Sequence, residues 1–312
     1  MKVIVHADDL GISRGITDRI IETHRSGVVQ RTSIVANGEA FDYAVERLRE
    51  NPGLAWSVHL NLVEGRCLAA EQGLPLLVDR RGWFKRDFLG LLLLPILAPW
   101  CRGGLRRQIR SELNAQIGRV RRALEPDKIR IDSHRYVHLL PFVFPIVIQQ
   151  AGAWRVREIR VVNEPLFTSR GGLRGLTELM SPNLLKCLIL RALSRSCRRQ
   201  LRRQGIVCPE RSLGVLFSGR MTDRIVDRGL KRIARNPPAE DAEVEVLFHP
   251  GPADPQDRVV WKGNPRQSRF YISPHRAAET TALLSPKLRR CVELYSVDSG
   301  CIESGRIESE KL

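Results

Sequence analysis

Apolar, β-branched runs and amphipathic helical stretches alternate along this chain from its first residues to beyond residue 290. Lys2–His6 is a strand-like run. Ser13 then offers a cap for a helix over Arg14–Ser26, and Gly27 offers its stop. The pattern predicts further strands at Arg31–Asn37, Leu54–Leu62, Lys128–Asp132, Glu158–Val162, Leu213–Ser218 and Glu243–Phe248. Helices are predicted over Phe41–Glu50, Leu105–Leu124, Pro141–Gly152, Pro182–Gln204 and Thr222–Arg235, with one or two more between Ser273 and Leu294. Ile109, Leu113, Ile117, Val120 and Leu124 share one face of the second of these.

Strands separated by helices require crossover connections and a parallel sheet. Seven such units without a linker-like tract predict an α/β fold. The expected form is an irregular (β/α) barrel of about seven parallel strands, a single domain over residues 1–312. An irregular insertion occupies about 63–104, and a helical tail begins near 273. A doubly wound open sheet is the alternative. No Gly-rich phosphate loop opens any helix, which counts against its nucleotide-binding version.

Composition narrows this picture only a little. The 312 residues are 43% hydrophobic, which is ordinary for a globular protein. No apolar run reaches eighteen residues, so no spanning helix is expected. The start, MKVIVHADDLG, has one lysine and a three-residue apolar run, unlike a secretory leader. Seven cysteines stand singly, without a CxxC pair, and predict a reducing, cytoplasmic setting.

Charge changes the picture more. The net charge is +17. Arg102–Arg122 holds seven arginines against Glu112 alone, and Ser181–Gly205 holds one lysine and six arginines with no acid. Such stretches attract anionic partners, nucleic acid or acidic lipid, or are simply a solvated basic surface.

The candidate chemistry is concentrated. Five of the seven histidines fall in His6-Ala7-Asp8-Asp9, Ser57-Val58-His59, Asp132-Ser133-His134-Arg135-Tyr136-Val137-His138 and Phe248-His249-Pro250-Gly251. Each segment meets the end of a predicted strand, where parallel α/β folds bind ligands. Two imidazoles and a carboxylate suit a divalent ion that keeps positions open for water. An adjacent aspartate pair can divide its work, one binding metal and the other taking a proton from the bound water. A histidine across the site can protonate the leaving group. Those parts hydrolyse an amide or ester. Blander readings exist: Asp8 or Asp9 as a helix cap, His59 as a packed core residue, His6 as structural, His138 as a residue that orients a neighbour.

The segments HADDLGIS (6–13), TSIVANG (32–38), SVHLNL (57–62), DSHRYVHLLP (132–141), LFSGRMT (216–222) and FHPG (248–251) resemble the YdjC-like carbohydrate deacetylases, in order, from residue 2 to about 300. The resemblance implies an irregular (β/α) barrel, one divalent metal ion (magnesium or zinc) and removal of acetyl groups from N-acetylated amino sugars. It implies Asp9, His59 and His134 as metal ligands, Asp8 as general base and His249 as the acid or acetyl-site residue. Asn61, Tyr136 and His138 are expected on the substrate side. Tyr136 departs from the family, which commonly has histidine there.

The stretch Phe88–Trp100, FLGLLLLPILAPW, carries no charge and is interrupted by Pro95 and Pro99. One reading is a buried helix or lid. The other joins it to the basic helix at 182–204 as an apolar patch beside arginines, suited to an anionic membrane surface. On that reading the enzyme works peripherally at the inner membrane face on a lipid-linked sugar, such as a hopanoid-type glycolipid, since some YdjC-like relatives are associated with hopanoid biosynthesis. Soluble chito-oligosaccharide is the competing substrate. From a different class comes a basic nucleic-acid- or membrane-binding protein with a degenerate site. The 6% aromatic content and the absence of a recognisable nucleic-acid motif count against the nucleic-acid version.

Overall fold

The structure, a computed structural model, describes residues 1–170, 182–252 and 270–296. Its centre is one seven-stranded, all-parallel sheet, built from β1 (Lys2–Leu10), β2 (Arg31–Ile34), β3 (Ala55–Leu60), β4 (Ile129–Ser133), β5 (Val156–Ile159), β6 (Arg211–Leu213) and β7 (Glu243–Phe248). The spatial order is β5-β4-β3-β2-β1-β7-β6. The described α-helices are α1 (Arg14–Arg25), α2 (Phe41–Arg49), α3 (Phe88–Leu97), α4 (Arg102–Leu124), α5 (Phe144–Gln150), α6 (Pro182–Arg203), α7 (Asp223–Ala234), α8 (Pro274–Leu283) and α9 (Pro286–Tyr295).

The sheet is curled, and its interior side chains show how strongly. Four strand spacings separate β1 from β5, about 19 Å in a flat sheet. Yet Arg160, just past β5, bonds both carboxylate oxygens of Asp8 on β1 at 2.9 Å and pairs with Glu245 on β7 at 2.9 Å. Arg31 on β2 likewise reaches Glu158 on β5 at 2.8 Å and Glu243 on β7 at 3.1 Å. Only a sheet rolled towards a barrel brings these groups together. The edges β5 and β6 nearly meet: Val207 exchanges backbone bonds with Ile159 and Arg157 at 2.9 and 3.0 Å, and Ser212 donates to Asn163 at 3.4 Å. The irregular barrel expected from the sequence is therefore observed, as a curled sheet that local bridges bring towards closure.

Strand alternation sorts the two faces. Val3, Val5 and Ala7, and likewise Val244, Val246 and Phe248, point outward to the helices and are buried there. The intervening His6, Asp8, Glu243 and Glu245 point into the barrel. The helices cover the outer face through apolar stripes such as Ile16, Ile20 and Ile21 of α1. Side-chain caps fix where two of them begin: Ser13 accepts from Ile16 and Thr222 from Ile225.

Some elements differ from the sequence pattern. The apolar run Leu213–Ser218 yields only the short β6, because Gly214 takes φ +120° and the next amides leave the ladder. The carboxylate of Glu164 receives the N–H groups of Gly214 (3.0 Å), Val215 (2.8 Å) and Leu216 (3.1 Å) instead. The helix expected from Pro141 begins only at Phe144. Inside the insertion, Phe88–Leu97 is a helix despite Pro95, but it is not a buried one: only Leu91 and Pro95 are buried. No single described helix is long and apolar enough to cross a membrane. Six cysteines are free, and Cys301 lies outside the described residues.

Two outcomes follow for stability. Glu164→Ala leaves three buried amides unpaired and is expected to cost about 3 kcal/mol in urea unfolding. Burial works to raise the Glu245 carboxyl, but Arg160 and His6 outweigh it and hold it at about 2, against an ordinary 4.5. A lowered carboxyl stabilises the fold fully above its unfolded value and loses that contribution as pH falls from 4.5 to 2. Glu245→Gln removes this component, so the stability difference between pH 7 and pH 3 should shrink in the variant. An unchanged difference would mean that Glu245 is not ionised in the fold.

Candidate metal and catalytic site

The carboxyl ends of β1, β3 and β4, with the loop after β7, meet at one mouth above a cavity of about 480 Å³. Asp8, Asp9, His59, His134, Tyr136 and His249 all line it. Consecutive residues of a strand normally face opposite ways, so Asp8 and Asp9 cannot share the mouth on a regular β1. Asp9 resolves this with φ +79°, at a register break between Ala7 and Leu10. An aspartate tolerates that left-handed conformation better than most side chains. Arg135 and Tyr136 make a second left-handed break, at φ 54° and 60°, immediately after β4.

Asp9, His59 and His134 each offer one ligand atom within 4.8 Å of the other two, and all three are buried. Asp9 Oδ1 lies 3.7 Å from His59 Nε2 and 3.2 Å from His134 Nδ1. That oxygen has no hydrogen-bond partner among the described residues, although it is fully buried. An orphaned carboxylate oxygen between two imidazole nitrogens fits a divalent cation. The far nitrogens are also fixed. His59 Nδ1 meets Asp132 Oδ1 at 2.7 Å, so Nε2 is left facing Asp9. His134 Nε2 lies 3.3 Å from Glu64 Oε2 and 3.2 Å from the Tyr271 hydroxyl, which itself donates to Glu64 at 2.6 Å. A carboxylate behind each ring is the usual outer support of a metal-binding histidine.

Electrostatics point the same way. Burial pushes the Asp9 carboxyl up, but the Arg276 guanidinium on its other oxygen and the neighbouring imidazoles hold it well below the usual range. Burial opposes charge on His134, yet Glu64 and Asp9 outweigh it and raise the imidazole to about 9. The cluster therefore favours added positive charge at this point, as a proton or as a metal ion. His249 behaves differently: burial, against Asp8 and Asp9, pushes its imidazole down to about 4. It stands neutral at ordinary pH, with Nε2 4.0 Å from Asp8 Oδ2.

Asp8 is held apart from that cluster. Arg160 clamps both its oxygens, Ser33 donates at 2.9 Å, and His6 Nε2 lies 3.3 Å away. His6, Asp8 and Asp132 are also close enough to share a metal. There, however, Arg160 already neutralises Asp8 and pairs with Asp132 at 3.0 Å, so a second cation would meet a buried guanidinium. His6 is a structural bridge, with Nδ1 on Glu245 at 2.9 Å.

Two expected substrate contacts do not reach the cavity. Asn61 is fully buried; it caps the turn at Val63 and Glu64 with its Oδ1 and donates to Asn37 and the Glu64 carbonyl. His138 is also fully buried. Ser133 Oγ lies 2.5 Å from its Nδ1 and the Arg160 carbonyl 2.8 Å from its Nε2, which ties the loop after β4 to β5. Glu64, Arg160, Tyr271 and Arg276 were not singled out by the sequence. Glu158 and Arg160 stand two apart within the strand-like run Glu158–Val162, the spacing that puts both on one face, and this was the available signal. Tyr271 and Arg276 come from the C-terminal segment, and no spacing ties them to β1.

A seven-stranded parallel sheet rolled towards a barrel, with an acid and histidine cluster at its mouth, defines an α/β protein of irregular (β/α)-barrel type with a candidate metal site. The chain belongs to the YdjC-like protein family, whose model matches residues 2–294. Over 157 residues it is 38% identical to a carbohydrate deacetylase of Brevibacillus brevis, covering 50% of this chain and 58% of that one. Over 150 residues it is 37% identical to carbohydrate deacetylase 1 of Listeria innocua, covering 47% and 55%. The chain thus matches little more than half the length of these curated relatives. A solved structure from Enterococcus faecalis V583, named as a candidate cellobiose-phosphate cleavage protein, shares the fold: TM-score 0.65, 21% identity, 95% of both chains covered.

Tyr271→Phe tests the support of His134. Losing the hydroxyl leaves Glu64 Oε2 one donor short, and a cost of about 1–2 kcal/mol is expected in thermal unfolding. A neutral result would show that Glu64 is satisfied without it.

Proposed function

We propose that this protein is a metal-dependent hydrolase that removes acetyl groups from N-acetylated amino sugars. The observation that carries the reading is the cluster of Asp9, His59 and His134 beside Asp8 on the cavity floor, in a chain whose relatives are named carbohydrate deacetylases. Asp9, His59 and His134 are the residues that would hold the ion. When bound, such an ion supplies Lewis-acid polarisation of the acetyl oxygen and acidifies water.

The protein groups divide the remaining work. Asp132 keeps the His59 proton on Nδ1, which leaves Nε2 free as a ligand. Arg160 and Ser33 aim the Asp8 carboxylate and keep it off the ligand set, so Asp8 can take the proton of the attacking water. The water oxygen bonds to the acetyl carbon and the carbon–nitrogen bond breaks. The amine leaves with the proton that Asp8 accepted. His249 is neutral at rest, so it can carry that proton to the nitrogen only after receiving it from Asp8. Tyr136, at the position where the family commonly has histidine, forms a cavity wall with Lys186, whose amine lies 5.9 Å from its ring centre.

For the substrate we favour a lipid-linked acetylamino sugar over a soluble chito-oligosaccharide. The support is the apolar rim, where Phe88, Leu89, Leu185 and Ile189 stand above a polar floor. A sugar fits the floor and an aliphatic carrier the rim.

The protein loaded with zinc or magnesium should hold about one ion per chain by elemental analysis, and His59→Ala with His134→Ala should lose it. Asp8→Asn should keep the ion while acetate release falls by about 10²–10⁴-fold, the usual contribution of a general base. A wild-type chain that retains no divalent ion, or an Asp8→Asn variant with full activity, would end this proposal.

A further inference from the structure

Two described helices expose apolar stripes, and both stripes start at the cavity mouth. On α3 and the turn after it, Leu89, Leu93, Ile96, Leu97 and Trp100 recur at helical spacing and are exposed, Leu97 at 71% and Trp100 at 80%. On α6, Leu185, Leu188 and Ile189 are exposed through the first two turns, and Arg195 and Arg199 continue the exposed surface further along. Leu89 of α3 and Leu185 and Ile189 of α6 also line the cavity. The apolar surface is therefore continuous with the candidate active site. Isolated exposed leucines are unremarkable, but a run of this extent around a cavity mouth marks an interaction site.

The charges select the occupant. Arg102 and Arg107 follow Trp100 at the start of α4 and are exposed; Arg195 and Arg199 follow the apolar turns of α6. No acidic residue lies on α6, and in α4 only Glu112 does, fully buried and accepting the Leu68 and Ala69 amides. An apolar surface that inserts, next to arginines that have no acidic ion-pair partner among the described residues, matches acyl chains under anionic headgroups. A second copy docked through the same surface would need an acidic complement to these arginines, and neither helix supplies one.

We infer that α3 and the first half of α6 form a docking surface for an anionic lipid bilayer, which seats the cavity mouth against the membrane. This rests on the reading of the cavity as a sugar site, and it places the substrate's entry from the lipid side rather than from bulk water.

Vesicle flotation tests it, with acetate release from a soluble acetylated sugar measured in parallel. The full chain should float at low salt with phosphatidylglycerol-containing vesicles and remain below with phosphatidylcholine alone. Leu97→Glu with Trp100→Glu, both outside the cavity, should weaken vesicle binding at least tenfold. Arg195→Glu with Arg199→Glu should lower the salt concentration at which the protein is released. Both variants should keep the soluble-substrate rate, which separates lost docking from lost folding. A wild-type chain that stays unbound at low salt overturns the docking surface and leaves the hydrolase reading intact. Flotation unaffected by the Leu97 and Trp100 changes also overturns it, since binding would then be charge attraction alone. So does a wild-type dimer in sedimentation that those changes dissolve, because a second copy would then cover the surface. A wild type that floats as expected but releases no acetate from either a soluble or a vesicle-borne acetylated amino sugar would leave docking standing and remove the hydrolase reading.

Discussion

The buried guanidinium of Arg160 is the tie on which the rest of the site depends. It stands almost fully buried inside the curled sheet and meets Asp8, Asp132 and Glu245, which belong to three different strands. A charge in such a place is tolerated only when it is paired and hydrogen-bonded, and here three carboxylates share it. Removing any one partner would leave uncompensated charge in a low dielectric. The pairing therefore fixes how far the sheet rolls, because the strands must come close enough for one side chain to touch all three. Arg31 repeats the device lower in the barrel with Glu158 and Glu243.

This polar interior also sets the chemistry at the mouth. Asp132 is shared: Arg160 holds one of its oxygens and His59 the other. The orientation of a candidate metal-binding imidazole is thus coupled to the clamp that holds Asp8. The two aspartates of one sequence pair end in different electrostatic settings. Asp8 is engaged by Arg160, while Asp9 meets Arg276 with one oxygen and leaves the other without a hydrogen bond among the described residues. A single left-handed residue in β1 makes that division possible.

Much of the candidate site's lining was legible along the chain. Asp8, Asp9, His59, His134 and His249 follow strand-like runs, and a parallel sheet collects strand ends at one face; the structure puts all five on the same cavity. The failures have physical causes. Asn61 and His138 are polar residues beside ligand-type neighbours, and sequence cannot say whether such a side chain looks into the mouth or caps the backbone behind it. Leu213–Ser218 has strand composition, but Gly214 and the Glu164 carboxylate, fifty residues away, claim its amides for a turn. The charge-free stretch Phe88–Trp100 forms a helix as one reading expected, yet Leu89, Leu93, Ile96, Leu97 and Trp100 remain exposed.

By itself the sequence determined the alternation of strands and helices, the parallel sheet that follows from it, and the identity of the groups available at the strand ends. These are local matters of period, caps and chain direction. Only the tertiary structure decided which side of each strand is the inside. The alternating charges of Glu243 and Glu245, or of Glu158 and Arg160, read equally well as a solvated face. They became the barrel's core because the sheet curls, and curling brings opposite charges from distant strands within contact. That juxtaposition depends on closure between groups up to some two hundred residues apart, and no short-range pattern carries it.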